Sequence, residues 1–307
     1  MNIAIVGTNG MLSKALTQMF YAAGNNVEVW GLEKPQDYLF SQFYRCNLLK
    51  EELNYIILAK NDIIIYAAGA GVQAELSVPS SLIYALNVSA PIGLTLKLKD
   101  IRYKGVFVSF GSYMEIGINK NNYAFNEDEI VCSSLPVSND YALSKRLYSR
   151  YMRDFSASYI NWHFILPNLF SQNDIQPGTR LLPYILQTIK DIKMGIDVQP
   201  RFSTGTQFRQ FIMLDELFAV ICRSYDKSLL SGIYCVGGGE QMSIKQLVQR
   251  VYHYYGIECK DTWFGVESRR DGDIPSLLLN GSKLYSCIGY EPMQKIEDLL
   301  SKFIFNY

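Results

Sequence analysis

The chain has 307 residues, and its 29 basic and 29 acidic side chains cancel to zero formal net charge. About half of it is apolar, 49%, which supports one large α/β domain with an appended lobe or two modest domains. A cancelled charge offers no footprint for nucleic acid or an anionic membrane surface, and no run approaches the roughly 18 apolar residues of a membrane span. Six cysteines (Cys46, Cys132, Cys222, Cys235, Cys259, Cys287) stand singly, without the close pairs of zinc ribbons or thioredoxin-like motifs. Only His163 and His253 provide imidazoles, so no metal site is expected. The start, Met-Asn-Ile-Ala-Ile-Val-Gly, lacks the basic region and long apolar stretch of a signal peptide. With unpaired thiols, the expectation is a cytoplasmic protein.

In chain order, Ile3–Val6 reads as a strand, followed by a glycine turn and an amphipathic helix from Met11 to Ala23. Val27–Trp30 is a second strand, Asp62–Tyr66 a buried one, Leu82–Leu98 a helix, Gly105–Phe110 a strand and Tyr141–Phe155 a helix. Alternating units with doubly buried strands predict a Rossmann-type α/β fold, a doubly wound parallel sheet covered on both sides. The second half is less regular. Pro167 to Pro177 is loop-like, Leu182–Met194 a helix and Gly232–Val236 a strand closed by three glycines. Ser243–Tyr255 is a helix with Ser243 as N-cap, and Ile296–Phe305 is another. The expected division is a dinucleotide-binding domain over 1–166 with 210–236 returning to it, and a smaller C-terminal substrate-binding lobe over 167–209 and 237–307.

Gly7-Thr8-Asn9-Gly10-Met11-Leu12-Ser13 lies between the first strand and the first helix. Glycines there let the backbone turn sharply and approach a pyrophosphate, which the helix N-terminus attracts. At the end of the second strand, where an acid usually binds the adenosine ribose hydroxyls, the chain has Gly31, with Glu33 and Lys34 just beyond. With no acid to exclude a 2′-phosphate and Lys34 able to pair with one, NADP(H) is favoured. Glu33 keeps NAD(H) open.

Tyr141-Ala142-Leu143-Ser144-Lys145 puts a phenol and an ammonium one helical turn apart. A cation lowers a phenol's pKa from near 10, so the tyrosine can exchange a proton with a carbinol oxygen while hydride moves at the adjacent carbon. Upstream, Val106–Ser112 ends in a hydroxyl at the carboxyl tip of a strand, where ligands of doubly wound sheets sit. Ser112 can therefore hydrogen-bond the same substrate oxygen.

The glycine turn, Ser112 and the Tyr141/Lys145 pair, in this order, resemble the extended short-chain dehydrogenase/reductase family of NAD-dependent epimerases, dehydratases and ketoreductases of nucleotide sugars. The likeness covers nearly the whole chain. Asp62-Ile-Ile-Ile-Tyr-Ala-Ala is similar to the family's fourth-strand segment and Asn87-Val88 to its mid-helix Asn-Val. Pro167-Asn168-Leu169-Phe170 resembles its phosphate loop and Arg209-Gln-Phe-Ile-Met-Leu-Asp215 its R-D-F-I-x-V-x-D element. Arg270-Asp-Gly-Asp273-Ile resembles R-P-G-D-V, and Gly289-Tyr-Glu-Pro292 the terminal G-W-x-P. Phe170-Ser171-Gln172 departs from the usual Y-G-P, and Asn47 from the usual acid near the adenine. The resemblance implies cofactor contacts from Gly7, Asn9, Gly10, Met11, Leu12, Gly31, Lys34, Asn47, Leu48, Ala67, Ala68, Gly69 and Asn87, together with Tyr141 and Lys145. It implies Ser112, Tyr141 and Lys145 as catalytic, and Ser112, Tyr113, Asn168, Arg209 and Arg270 at the substrate, the arginines clamping the diphosphate. It also implies a homodimer paired through Leu82–Leu98 and Tyr141–Phe155, and a part in polysaccharide biosynthesis.

Within the family, 4,6-dehydratases carry an Asp-Glu pair directly after the catalytic hydroxyl. Tyr113 and Met114 stand there and cannot eliminate water. Fucose-synthase-like enzymes use a cysteine near the same point and a histidine in the phosphate loop for 3,5-epimerisation; Met114 and Asn173 occupy those places. The remaining expectation is a 4-ketoreductase of a nucleotide-linked 6-deoxysugar, with a 4-epimerase that retains its NAD as the alternative. A non-catalytic binding module is disfavoured because Tyr141 and Lys145 are both present.

Overall fold

The computed structural model describes residues 1–51, 53–72, 77–171, 180–269 and 274–302. Its strands are β1 Asn2–Val6, β2 Asn26–Gly31, β3 Gln42–Arg45, β4 Ile63–Tyr66, β5 Val106–Ser112, β6 Ile160–Leu166, β7 Asn168–Phe170, β8 Phe208–Met213, β9 Gly232–Cys235, β10 Glu240–Ser243 and β11 Ser276–Leu277. Among the described residues, seven form an all-parallel sheet in the order β3-β2-β1-β4-β5-β6-β9.

The sheet is buried on both faces, and the twofold period of its strands sorts their side chains into separate cores. Ile3, Ile5, Ile63, Ile65, Val106, Val108, Trp162 and Phe164 enter one core, which includes Leu16 and Phe20 of helix Met11–Ala22 and Leu217 and Val220 of helix Leu214–Asp226. Ala4, Val6, Ile64, Tyr66 and Phe107 face the other way, onto Leu94 and Leu98. Towards β6 and β9 that second face is covered by helix Asp140–Asp154, through Tyr148 and Met152 against Ile165 and Cys235.

Helix Ser80–Asp100 runs for 21 residues, and its middle turn, Ala85–Ser89, is π-helical. By length and composition it is long and apolar enough to cross a membrane, which corrects the reading that no segment approaches such a span. In the fold it lies against the sheet through buried Leu94 and Leu98 and carries buried Asn87 and Thr95.

The second sheet is built around β8. Strand β10 pairs with it antiparallel, while β7 and β11 pair parallel along different stretches. Its core joins Phe211 and Met213 to helices Leu181–Lys193, Ile244–Tyr254 and Ile296–Leu300. The expected division placed a boundary between residues 209 and 210. That boundary cuts through β8, because register with β7 and β10 holds the strand together. The Pro167–Pro177 loop likewise begins with β7, whose backbone finds partners on β8. Ser243 caps its helix as expected, accepting from Gln246 N at 3.1 Å. The last helix ends at Leu300, earlier than Phe305, and 303–307 lie outside the described residues.

Candidate active site

β1 lies between β2 and β4, so the strand order reverses beside it. In sheets of this kind the crevice at the carboxyl ends of such strands holds the ligand. Gly7 follows β1 with φ of +117°, and its N–H donates to Trp30 O at 2.8 Å. A Cβ there would stand 2.7 Å from Ala68 N, so both backbone conformation and the close approach of the two strand ends require glycine. Ala67 continues that approach by donating to Val6 O at 2.9 Å. Asn9 and Gly10 are exposed, and Met11 and Leu12 are partly buried. Gly10 caps helix Met11–Ala22 without a side-chain acceptor, leaving the first-turn N–H groups suited to an anion. Ser13 is fully buried and donates to Gly10 O at 2.8 Å, so the third small residue of the motif packs the helix onto the sheet.

At the end of β2 the structure changes one inference. A Cβ on Gly31 would run into the Thr8 side chain, and Thr8 is itself held by Tyr38, whose hydroxyl donates to Thr8 O at 2.8 Å. Glycine at this position is dictated by the turn, so the missing acid is not in itself a sign of a 2′-phosphate. Lys34 is exposed, and nearby Lys14 pairs with Asp37 at 2.6 Å, which lowers the Asp37 carboxyl from its ordinary value. Asn47 closes a turn by accepting from Leu49 N at 3.1 Å. Leu48 packs against the core beside Tyr66.

Asn87 ties this crevice to the neighbouring helix. Its side chain accepts from Ala70 N and donates to Ala70 O, both at 3.0 Å, and also donates to Ser144 Oγ at 2.9 Å. Ser144 in turn donates to Tyr141 O at 2.8 Å. The asparagine, expected as a cofactor contact, thus spends its amide on protein groups. It fixes the loop that begins at Gly69, where a Cβ would lie 3.0 Å from Asn87 Oδ1, against the helix carrying Tyr141.

Ser112, Tyr141 and Lys145 come together. Asn139 caps helix Asp140–Asp154, accepting from Ala142 N at 2.9 Å. In that first turn, the Tyr141 phenol comes up against Ser112 at the tip of β5. Lys145 Nζ donates to Phe110 O at 2.8 Å and lies 5.8 Å from the Tyr141 ring centroid. Burial pushes the ammonium down to about 8, with Glu115 opposing the shift. The phenol departs from expectation: burial holds it above its ordinary value although neighbouring Ser112 lowers it, with Glu115 and Tyr113 adding to the rise. Tyr113 is buried among Ile116, Phe125 and Tyr148.

Glu115 is a residue that the sequence reading missed. It is fully buried, and its Oε1 accepts from Ser112 N at 2.6 Å while Ser112 Oγ accepts from Met114 N at 3.3 Å. This is a reciprocal capping box, and its Ser-x-x-Glu spelling was the signal that could have found it. Arg180 was also missed: its Nη1 lies 2.8 Å from Met11 Sδ, at the first turn of the crevice helix.

Of the expected substrate residues, Asn168 and Arg209 lie on the small sheet. Asn168 on β7 pairs in register with Phe211 of β8. Arg209 is buried, donating to Phe208 O at 2.7 Å and Ile274 O at 3.1 Å, and Arg269 also donates to Ile274 O, at 2.6 Å. Beside them a cavity of about 600 Å3 is lined by Gln207, Phe208, Gln241, Arg269 and Ser276 among others. Arg270 and Asn173 lie outside the described residues.

A doubly wound sheet, a glycine turn at its switch point and a serine, tyrosine and lysine meeting at a strand tip define a Rossmann-type α/β protein of the short-chain dehydrogenase kind. The chain belongs to the NAD dependent epimerase/dehydratase family, whose profile matches residues 3–237. GDP-L-fucose synthase 1 of Arabidopsis thaliana is 26% identical over 185 residues, 57% of this chain and 55% of that protein. The chain thus spans about half the length of the curated relatives it matches. UDP-glucose 4-epimerase from Thermotoga maritima, solved with UDP-glucose, superposes with a TM-score of 0.79 at 18% identity, covering 98% of this chain and 97% of that one. dTDP-glucose 4,6-dehydratase from Bacillus anthracis, solved with NAD, gives 0.77 at 16% identity, covering 98% and 94%. At these identities the likeness is one of fold.

Gly31→Ala is expected to destabilise the protein by about 1–3 kcal/mol, the usual cost of overpacking, in urea unfolding. A change below about 0.5 kcal/mol, the range of a neutral surface substitution, would mean that Thr8 yields and that Gly31 is not fixed by the turn.

Proposed function

We propose that the chain reduces the 4-keto group of a nucleotide-linked 6-deoxysugar, with a nicotinamide dinucleotide as hydride donor. The observation that carries this reading is the meeting of Ser112, Tyr141 and Lys145 at the tip of β5. The turn at Gly7 and the first turn of helix Met11–Ala22 would hold the dinucleotide, which when bound would supply hydride to the sugar carbon. As negative charge grows on the carbonyl oxygen, the Tyr141 O–H delivers its proton there, and Ser112 Oγ donates to the same oxygen. Lys145, anchored on Phe110 O, places a positive charge beside the phenol and eases its passage through phenolate. A phenol raised by burial is fully protonated at neutral pH, the form a reductase needs before transfer.

The groups around the trio favour reduction over the family's other reactions. Tyr113 and Met114 follow Ser112, so no acid–base pair stands there for dehydration. Met114 in place of a cysteine leaves a fucose-synthase-like frame without its 3,5-epimerising thiol. Arg209, with Asn168 and Arg270, is assigned to the substrate diphosphate, since guanidinium forks match phosphate oxygens. Exposed Lys34 favours NADP(H), whereas the solved neighbours named above include one that carries NAD. We further assign the apolar helix Ser80–Asp100, with only 33% of its most apolar stretch buried, and helix Asp140–Asp154 to a homodimer interface. A cytoplasmic setting and a role in polysaccharide biosynthesis accompany this reading.

A retained-NAD 4-epimerase is the second reading, because the same trio can run the transfer in both directions. Isolation of the protein separates the two. A reductase is expected to emerge without tightly held cofactor and to oxidise NADPH or NADH only when a 4-keto sugar nucleotide is present. Copurifying NAD, with C4 epimers interconverting and no cofactor consumed, would contradict it. In either case Tyr141→Phe is expected to bind dinucleotide while turnover falls by about 10²–10⁴. Turnover within about threefold of wild type, well under 1 kcal/mol of barrier, would remove the role assigned to the phenol.

A further inference from the structure

Three residues beyond Ser112, at a position the reaction above does not use, the chain buries an acid. The Glu115 side chain is 0% exposed. Its Oε1 is held by Ser112 N, and its Oε2 makes no hydrogen bond among the described residues. It lies over Gly111: a Cβ on that glycine would stand 2.5 Å from Glu115 Oε1 and 2.8 Å from His163 Nε2. The absence of a side chain at Gly111 thus makes the room for both groups. A capping box can be built at a surface; nothing in the turn alone calls for a carboxyl sealed from water, which carries a large desolvation cost.

The titratable and charged groups facing it are Tyr141, Lys145 and Arg146 on helix Asp140–Asp154, His163 on β6 and Cys235 on β9. His163 is engaged at both nitrogens, by Ser109 and Ser149 at 2.8 Å each, and burial pushes it down to about 3, so the ring is neutral. Burial raises the Cys235 thiol well above its ordinary value, so it is neutral too. Arg146 gives Nε to Glu115 O and Nη1 to Leu135 O, so its hydrogen bonds go to backbone. The charges left to balance are those of Glu115 and Lys145 beside that guanidinium.

We propose that the Glu115 carboxyl, locked to the backbone of Ser112, is a fixed counter-charge for Lys145 and sets the pH range in which Tyr141 delivers its proton. It is a positioning residue acting through the pair, and the inference rests on the role given to Tyr141 above. A negative charge here holds protons on both neighbours: it raises Lys145 and raises Tyr141. Glu115 itself is pushed up to about 7 by burial, against neighbouring Ser149, the Ser112 N–H bond and the Lys145 and Arg146 charges. The site therefore changes its charge around neutrality.

Glu115→Gln keeps an oxygen for Ser112 N and deletes the charge. In the pH profile of kcat/KM for ketone reduction, the alkaline limb is expected to move about one pH unit lower, because both neighbours lose their protons earlier. A profile superimposable on wild type would overturn the proposal. Thermal unfolding gives a readout independent of turnover. A carboxyl whose folded pKa lies above its unfolded value costs nothing while protonated in both states and destabilises as pH rises through that window. Relative to wild type, the glutamine variant should therefore gain stability as pH rises from about 4.5 to about 7; a pH-independent difference would contradict a buried charge. Should the variant fail to fold, carbon-13 titration of glutamate carboxyls in the wild type decides. One resonance titrating near 7 supports the proposal, and none outside the ordinary glutamate range overturns it. If Tyr141→Phe keeps its turnover, the proposed reaction falls, and the unfolding and carbon-13 results still report the charge on Glu115.

Discussion

Withdrawing an ammonium from water is costly, and here Lys145 Nζ meets the Phe110 carbonyl at 2.8 Å while Glu115 favours its charged form. That bond joins the first turns of helix Asp140–Asp154 to the last residues of β5, so the lysine, the phenol one turn before it and the serine two residues after Phe110 cannot move independently. Burial lowers the ammonium to about 8, while it pushes the phenol the other way. Groups whose proton affinities are pushed apart take distinct roles, and here the proton stays on Tyr141 until it is transferred.

The rest of the molecule holds this junction in place. Asn139 starts the helix with a capped first turn, and Asn87, from a π-helical turn, reaches Ser144 between the two functional positions. A π turn displaces the side chains that follow it, and such turns occur often at functional sites. Here it coincides with Asn87, which bonds both the crevice loop and the helix. On the opposite side of the crevice, Gly7, Thr8, Gly31 and Tyr38 interlock, so the turn that would face a pyrophosphate is shaped by packing as much as by the ligand it suits.

Much of the parallel sheet was legible because β1, β4 and β5 are doubly buried runs with no competing pattern, and the Tyr141/Lys145 spacing survived because helical geometry alone makes those positions neighbours. Other parts were hidden for physical reasons. β3, Gln42–Arg45, has only partly buried side chains at an edge and gives no apolar run. β7 and β10 are short and depend on β8 for partners, which no local window contains. Gly31 was read as a lost acid, when the clash that fixes it comes from Thr8, 23 positions earlier in the chain. Glu115 went unseen because a glutamate near a turn is ordinarily solvated; its burial depends on Gly111 leaving space beneath helix Asp140–Asp154.

A structure determined with NAD(H) or NADP(H) bound is the most direct test. The pyrophosphate is expected against the N-terminus of helix Met11–Ala22 and the nicotinamide end across the crevice, with the Tyr141 hydroxyl and Lys145 Nζ both turned towards it. A dinucleotide bound elsewhere, or a Tyr141 side chain swung away from Ser112 when the cofactor is in place, would contradict it.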